Sequence, residues 1–302
     1  MEKLLNSIED MGWKGQIVSV DHLTELRTAI TDRLEHGQID MRLYHEQLSF
    51  FSFNPPSDLP EVRSIIIIAV PTPQMRIYLN RRGKRVQVII PPTYVSYTRR
   101  TNKTLDALAA MLSPQGYHLS GTQLPLKTLA VGSGLAKYGR NNICYVEGMG
   151  SFLQLAGAFS DLRCDNDQWY QPEMLDRCET CTACLHNCPT NAISRDRFLL
   201  HAEICLTFHN ESSEDLPGWI DPKWHHCLIG CMKCQSACPE NKSVIRWSED
   251  RVEFSEVETN LFLKAVPFQQ LPEEMVFKIE SLEINENYPS LCRNLKFILA
   301  GN

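Results

Sequence analysis

Apolar positions fall at helical spacing at both ends of the chain and in short dense runs between. Leu4, Leu5 and Ile8 make one stripe, and Leu23, Leu26, Ile30 and Leu34 make another. Residues 1 to about 36 are therefore expected to be helical, with Asp21 as an N-cap and Gly37 as a stop. Residues 41–61 show no period; Phe50, Phe51 and Phe53 there are expected to serve packing, next to the Pro55-Pro56 pair. Ser64 to Val70 is short, β-branched and wholly apolar after its serine, which predicts a central strand buried on both faces and ended by Pro71 and Pro73. Met75–Leu79 and Val86–Ile90 read as paired strands around the basic tip Asn80 to Arg85. Thr101–Leu112 carries Leu105, Leu108, Ala109 and Leu112 on one helical face, and Leu124–Val131 predicts a shorter helix. Ile143–Val146 and Ser151–Ser160 read as strands joined by Glu147-Gly-Met-Gly150. Residues 250–302 read as mostly helical, broken at Pro267, Pro272 and Pro289.

The 302 residues, 43% hydrophobic, suffice for a real core. The expected architecture is α+β with mixed strands over 1–164, a double-cluster ferredoxin-like domain over 165–248, and a helical tail over 249–302. A net charge of −6 gives no global basic field for nucleic acid. The first ten residues hold acids and no long apolar run, and the aliphatic run from Ile65 to Val70 is too short to cross a bilayer. Twelve cysteines without an export signal point to a reducing cytoplasm and metal work, with no membrane partner.

The cysteines are where chemistry concentrates. Cys178, Cys181, Cys184 and Cys188, followed by Pro189, form the C-x2-C-x2-C-x3-C-P run of bacterial ferredoxins, whose fourth cysteine reaches to the other cluster. Cys231, Cys234 and Cys238, followed by Pro239, repeat its ending with one cysteine fewer. Two 4Fe–4S clusters thus need an eighth thiolate, from Cys205 or Cys227. The crossed rule gives Cys178, Cys181, Cys184 and Cys238 to one cluster, and Cys188, Cys231, Cys234 and the eighth ligand to the other. Two zinc knuckles would leave Cys184 and Cys188 unexplained, and a disulfide framework belongs to small secreted domains. Cys144, Cys164 and Cys292 are expected as small buried residues. His225, His226 and Cys227 lack a fourth ligand at metal spacing and read as a capped turn.

Gly132-Ser-Gly134-Leu-Ala-Lys-Tyr138-Gly139-Arg-Asn-Asn142 is not a dinucleotide fingerprint, because no GxGxxG opens a helix inside a βαβ unit. Its glycines are expected to let the backbone approach something flat or bulky.

With these motifs in view, the chain resembles the epoxyqueuosine reductases and, more distantly, the reductive dehalogenases. The likeness lies in Pro60-Glu-Val-Arg-Ser-Ile-Ile-Ile-Ile68, in Gly134 to Asn141, in Gly150-Ser151-Phe152-Leu153, in Cys205-Leu-Thr-Phe, in Gly230 to Asn241, and in Arg293 to Asn302. It implies a cobalamin-binding body beside two 4Fe–4S clusters, with Cys205 as the eighth ligand. It further implies corrinoid contacts from Gly134, Leu135, Tyr138, Gly139, Asn141, Gly150 and Ser151. The family carries a proton-donating acid three positions before the proline matching Pro125; here that position is Thr122.

Two functional expectations follow. In the first, electrons from a ferredoxin or flavodoxin pass through both clusters to a bound corrinoid. The corrinoid then reduces a small molecule rather than tRNA, with Tyr97 and Tyr138 as the first candidates for proton donor and Arg140 or Arg99 as an electrostatic anchor; Glu147, on its glycine-flanked turn, is expected to face solvent rather than to act as the acid. In the second, the protein reduces a separate corrinoid protein or redox partner and has no substrate chemistry of its own. Glu211 to Asp215 is expected as a solvated loop.

Overall fold

A computed structural model describes residues 1–59 and 61–300. Pro60, Gly301 and Asn302, parts of the first and last resembling stretches, lie outside the described residues. In chain order the body comprises α1 (Glu2–Asp10), β1 (Lys14–Ser19), α2 (Leu23–Glu35), α3 (Met41–Gln47), β2 (Ser64–Pro71), β3 (Gln74–Arg81), β4 (Lys84–Ile90), α4 (Tyr97–Leu112), β5 (Leu119–Gly121), α5 (Leu126–Gly132), β6 (Lys137–Tyr138), β7 (Cys144–Tyr145) and β8 (Leu153–Ser160). The cysteine-rich segment adds short helices α6 (Ala183–Asn187), α7 (Leu206–Glu211) and α8 (Lys233–Ser236). β9 (Ser248–Phe254), α9 (Glu256–Leu263), α10 (Glu273–Ser281) and α11 (Tyr288–Ala300) complete the chain. The α+β expectation holds.

The main sheet has the order β1-β2-β8-β5, antiparallel throughout, so the isoleucine run of β2 is central as expected. Its lack of alternation has a plain cause: both faces are core. Ile65, Ile67 and Ala69 meet Val18, Leu26, Leu129 and Val131, whereas Ile66, Ile68 and Val70 meet Leu4, Ile8, Leu108 and Leu112. Across from Ile67 sits Gly157 of β8, where a Cβ would lie 2.7 Å from Leu126 and 2.8 Å from Thr122, so any larger residue would push these two side chains aside.

The second sheet, β4-β3-β9, is mixed: β3 and β4 form the expected hairpin, and β9 adds parallel to β3. The hairpin turns through Arg82 (φ 50°) and Gly83 (φ 71°), the left-handed pair that a two-residue turn requires. The tip residues Arg82 to Arg85 are exposed to solvent, and Arg85 stacks on Tyr78 (3.3 Å to the ring centroid) and pairs with Glu253 at 2.9 Å. α9, α10 and α11 cover this sheet, burying Phe254, Met275, Ile279, Leu291 and Leu295.

Several local expectations are corrected. β1 interrupts the N-terminal region read as helical, since Gln16, Ile17 and Val18 pair with β2. Ser19 rather than Asp21 supplies the local cap, its side chain accepting from the Asp21 N–H. α3 occupies part of the stretch read as irregular, capped by Asp40. β9 lies inside the region read as mostly helical. β7 pairs with β6 instead of forming a hairpin with β8. Cys144 and Cys292 are buried as expected, but Cys164 is only half-buried.

Candidate functional site

The cysteine-rich segment is tied to the β6–β7 pair and to the second sheet by backbone pairing. Met174 bridges to Tyr138 and Cys227 to Ile89, with the Leu228 N–H donating to the Ile89 carbonyl at 2.9 Å. Helical turns then present thiols from their ends: Cys184 lies in α6, Cys205 N-caps α7, and Cys234 lies in α8. Pro239 directly follows Cys238 and starts a 3-10 turn.

The thiols gather as two quartets. Cys178, Cys181, Cys184 and Cys238 act electrostatically on one another and wall one cavity with Arg140, Asn141 and Tyr145. Cys188, Cys205, Cys231 and Cys234 are electrostatic neighbours in a second group. Cys227 lies instead in an apolar cluster with Phe152 and Met232, fully buried. Among the described residues no three His, Cys, Asp or Glu side chains close tightly enough to hold a single metal ion, so each quartet is spread more widely than a mononuclear site. Burial raises the thiol pKa values: Cys184 is pushed up to about 11, Cys231 to about 12, and Cys234 well above the ordinary thiol value. Such thiols ionise only opposite a compensating positive charge, which cluster iron supplies. Eight sulfur donors in two crossed groups fit two 4Fe–4S clusters.

Polar groups around the second quartet fix its loops. His226 Nε2 accepts the Met232 N–H at 3.1 Å while its Nδ1 faces the Trp224 carbonyl at 3.1 Å, so the imidazole is held neutral within a turn. His225 stacks on Phe297 with ring centroids 5.0 Å apart. The Tyr94 hydroxyl donates to the Glu211 carboxylate, and its ring fills the place a side chain at Gly230 (φ 65°) would need. Glu211 is therefore not part of a solvated loop; burial raises its carboxyl above the usual range.

A cleft of ≈ 540 Å³ lies beside the first quartet, inside the roughly 300–1,000 Å³ typical of small-molecule sites. Gly134, Leu135, Lys137, Glu147, Gly150 and Glu240 line it, and Tyr145 and Glu240 also wall the cysteine cavity. Most glycine faces of the signature are already covered by the chain itself. A Cβ at Gly132 would meet the Trp169 ring at 2.4 Å, one at Gly134 would meet Tyr170 at 2.7 Å, and one at Gly139 would meet Tyr145 at 2.5 Å. The flat groups these glycines admit are the chain's own aromatic rings. Gly148, by contrast, has nothing within 4 Å of a Cβ position, so the cleft keeps open wall there.

Of the residues expected at a corrinoid, Gly134, Leu135 and Gly150 line this cleft, whereas Gly139 and Asn141 line the cysteine cavity. Ser151 is buried in a network with Gln235 and Asn241 that joins the body to α8. Tyr138 is buried, its hydroxyl 3.3 Å from the Thr128 hydroxyl and its ring edge-on to Phe198. Tyr97 is 42% exposed at the start of α4. The Arg140 guanidinium donates to the Cys178 carbonyl, and its Nε is buried without a partner among the described residues. Arg99 pairs with Glu283 at 2.9 Å. The Thr122 hydroxyl is buried and likewise unpartnered. Sequence reasoning gave no role to Tyr145 or Glu240; the available signal was that Tyr145 comes shortly after the glycine-rich stretch and that Glu240 lies within the stretch Gly230 to Asn241.

The fold and the paired quartets define an iron–sulfur protein of the double-cluster type, built on an α+β body. The 4Fe-4S double cluster binding domain family matches residues 177–241. Over longer spans the chain is 28% identical to the epoxyqueuosine reductase of Cellulophaga algicola, covering 57% of this chain and 55% of that protein. It is 27% identical to the Staphylococcus aureus enzyme of the same name, covering 65% and 53%. The chain thus spans about half the length of these curated relatives. A solved epoxyqueuosine reductase with an epoxyqueuosine-modified tyrosine tRNA stem loop aligns at TM-score 0.71 and 19% identity, covering 99% of this chain and 80% of that one. Within the double-cluster class, the protein is similar in sequence to the epoxyqueuosine reductases and shares their fold.

Proposed function

We propose that this chain is a corrinoid-dependent iron–sulfur reductase. Cys178, Cys181, Cys184 and Cys238 hold one 4Fe–4S cluster, Cys188, Cys205, Cys231 and Cys234 hold the other, and a ferredoxin or flavodoxin supplies the electrons. The observation that carries this reading is the shared wall: Tyr145 and Glu240 separate the first thiol quartet from a cleft lined by Gly134, Leu135 and Gly150. Those three residues would hold the corrinoid, whose cobalt supplies the redox chemistry when bound. Glu147 and Glu240 bring carboxyl groups to the same cleft as proton donors. Arg140 steadies the loop of the first cluster through the Cys178 carbonyl. The substrate is a small molecule rather than tRNA: a net charge of −6 opposes a phosphate-dominated interaction.

The test is anaerobic preparation of the full chain with iron and sulfide analysis, followed by cobalamin titration in the visible spectrum. Two clusters and one corrinoid per chain are expected. Colourless, iron-free protein would overturn the whole reading. Tight, salt-sensitive retention of tRNA in a gel-shift assay would overturn the substrate clause. Brown protein that takes up no corrinoid would leave the second reading, an electron-transfer protein serving a separate corrinoid protein or redox partner. The buried, unpartnered Thr122 hydroxyl favours that second reading, since it offers no proton to a substrate.

A further inference from the structure

The Arg140 side chain carries one donor more than the loop it steadies requires. Arg140 lies in the turn between β6 and β7, which closes through the Gly139 N–H on the Ile143 carbonyl at 2.8 Å and the Asn142 N–H on the Gly139 carbonyl at 2.9 Å. β6 runs beside the approach to the first cysteines: the Tyr138 N–H donates to the Glu173 carbonyl at 3.0 Å, and the Leu175 N–H to the Tyr138 carbonyl at 2.8 Å. That pairing brings the Arg140 guanidinium to Cys178, whose carbonyl accepts from Nη2. Nε is buried and has no partner among the described residues. A guanidinium is planar, and its Nε–H and one Nη2–H leave the same edge side by side, as two tines of a fork. With Nη2 on the Cys178 carbonyl, Nε–H is therefore aimed at the same loop. Arg140 and Cys178 both line the cavity that Cys181, Cys184 and Cys238 share. The other side-chain acceptors of that wall are engaged: the Asn141 oxygen by the Ile143 N–H at 3.3 Å, the Tyr145 hydroxyl by the Asn141 amide at 3.0 Å, and Glu240 by Arg177 at 2.6 Å. A buried, charged N–H without an acceptor is costly, and the acceptor left to this one is sulfur.

We infer that Arg140 donates its Nε–H to sulfur of the first cluster and thereby raises that cluster's reduction potential. The inference rests on the ligand assignment proposed above. A 4Fe–4S cluster on four thiolates is anionic and gains one more negative charge on reduction, so a fixed cationic donor stabilises the reduced state more than the oxidised one. The proton stays on nitrogen; only the electron from the ferredoxin or flavodoxin is added. Arg140, expected from the sequence as an electrostatic anchor for substrate, thus turns its charge to the cluster instead. A raised potential there makes the first cluster the preferred seat of the electron, on the side of the cleft that Tyr145 and Glu240 wall.

The experiment is a potentiometric titration read by electron paramagnetic resonance on the anaerobically reconstituted full chain, beside Arg140→Gln and Arg140→Lys. With iron and sulfide content unchanged, Arg140→Gln should make one cluster roughly tenfold harder to reduce, a downward shift of about 59 mV for a one-electron couple, and leave the other in place. Arg140→Lys keeps the charge but not the fork, and should shift the same cluster less. Unmoved potentials in fully loaded Arg140→Gln would overturn the inference and leave Arg140 a loop-holding residue only. Wild-type protein supplies a second reading that needs no variant to fold. With arginine isotopically labelled at its side-chain nitrogens, pulsed paramagnetic resonance of the reduced protein should show a coupling to arginine nitrogen, and Arg140→Lys should abolish it. No such coupling in wild type, or one that persists in Arg140→Lys, would overturn the contact. Failure of the ligand assignment reads differently: wild-type protein itself would then lack two cluster signals.

Discussion

Cys205 and Cys227 show how surroundings decide what a thiol does. Cys205 caps α7 and interacts with Cys188, whereas Cys227 packs on Phe152 and Met232. Cys205→Ala is therefore expected to lose about one cluster of two and Cys227→Ala to keep both; iron counts that came out reversed would refute the assignment. His225 makes a pH prediction. Burial lowers its pKa from 6.5 to about 4, against the opposing pull of the Pro222 carbonyl. Between those values the unfolded chain binds a proton that the folded chain does not, so stability is full above about 6.5 and falls as pH drops towards 4. In His225→Phe that part of the slope should vanish from urea unfolding midpoints measured across the interval. The ring's stacking on Phe297 explains its burial, and no local pattern announced it.

At the scale of elements, β2 and α11 do different work. β2 is legible because seven β-branched or small residues follow one another, yet its two-faced role depends on both cores closing. Ile67→Ala should cost about 2–5 kcal/mol in unfolding free energy, because the opposite Gly157 leaves nothing that can expand into the void. α11 is legible as an amphipathic helix, but its role as a clamp is not. Asn294 donates to the Asn210 and Leu228 carbonyls at 2.9 and 3.0 Å, and the Arg293 guanidinium donates to the His209 carbonyl at 2.7 Å. Asn294→Ala leaves two buried carbonyls unpaired and should destabilise by about 1–3 kcal/mol. Hydrogen exchange should then speed up around Asn210 and Leu228; unchanged protection there would deny the clamp. β9 escaped the sequence reading for a related reason. Its Arg251 and Glu253 look like solvent-facing charges of a helix, and only pairing with β3 makes the segment extended.

For the whole molecule, the quartets tie residues far apart in sequence: Cys178 meets Cys238, and Cys188 meets Cys231. Iron binding is thus coupled to the fold of the entire cysteine-rich segment. Stripping the clusters with oxidant and chelator should lower the thermal midpoint and expose cleavage sites within 165–245 to protease, while the β2 core stays protected. Equal protease resistance with and without iron would show that the segment folds without its metal. No helix among the described residues is long and apolar enough to cross a membrane.

Spacing along the chain pointed to seven donors and a crossed grouping, because a ferredoxin run confines three thiolates to a single turn and sends the fourth away; it left the eighth open between Cys205 and Cys227. Local pattern also determined the central strand and the long helices, whose periods come from backbone geometry alone. What the glycine-rich stretch approaches was decided only in three dimensions. Trp169, Tyr170 and Tyr145 fill those glycine faces from other parts of the fold. The same holds for Glu211 under Tyr94 and for β9 beside β3. Each depends on a partner distant in sequence, and burial and hydrogen bonding assign such partners only when the layers close.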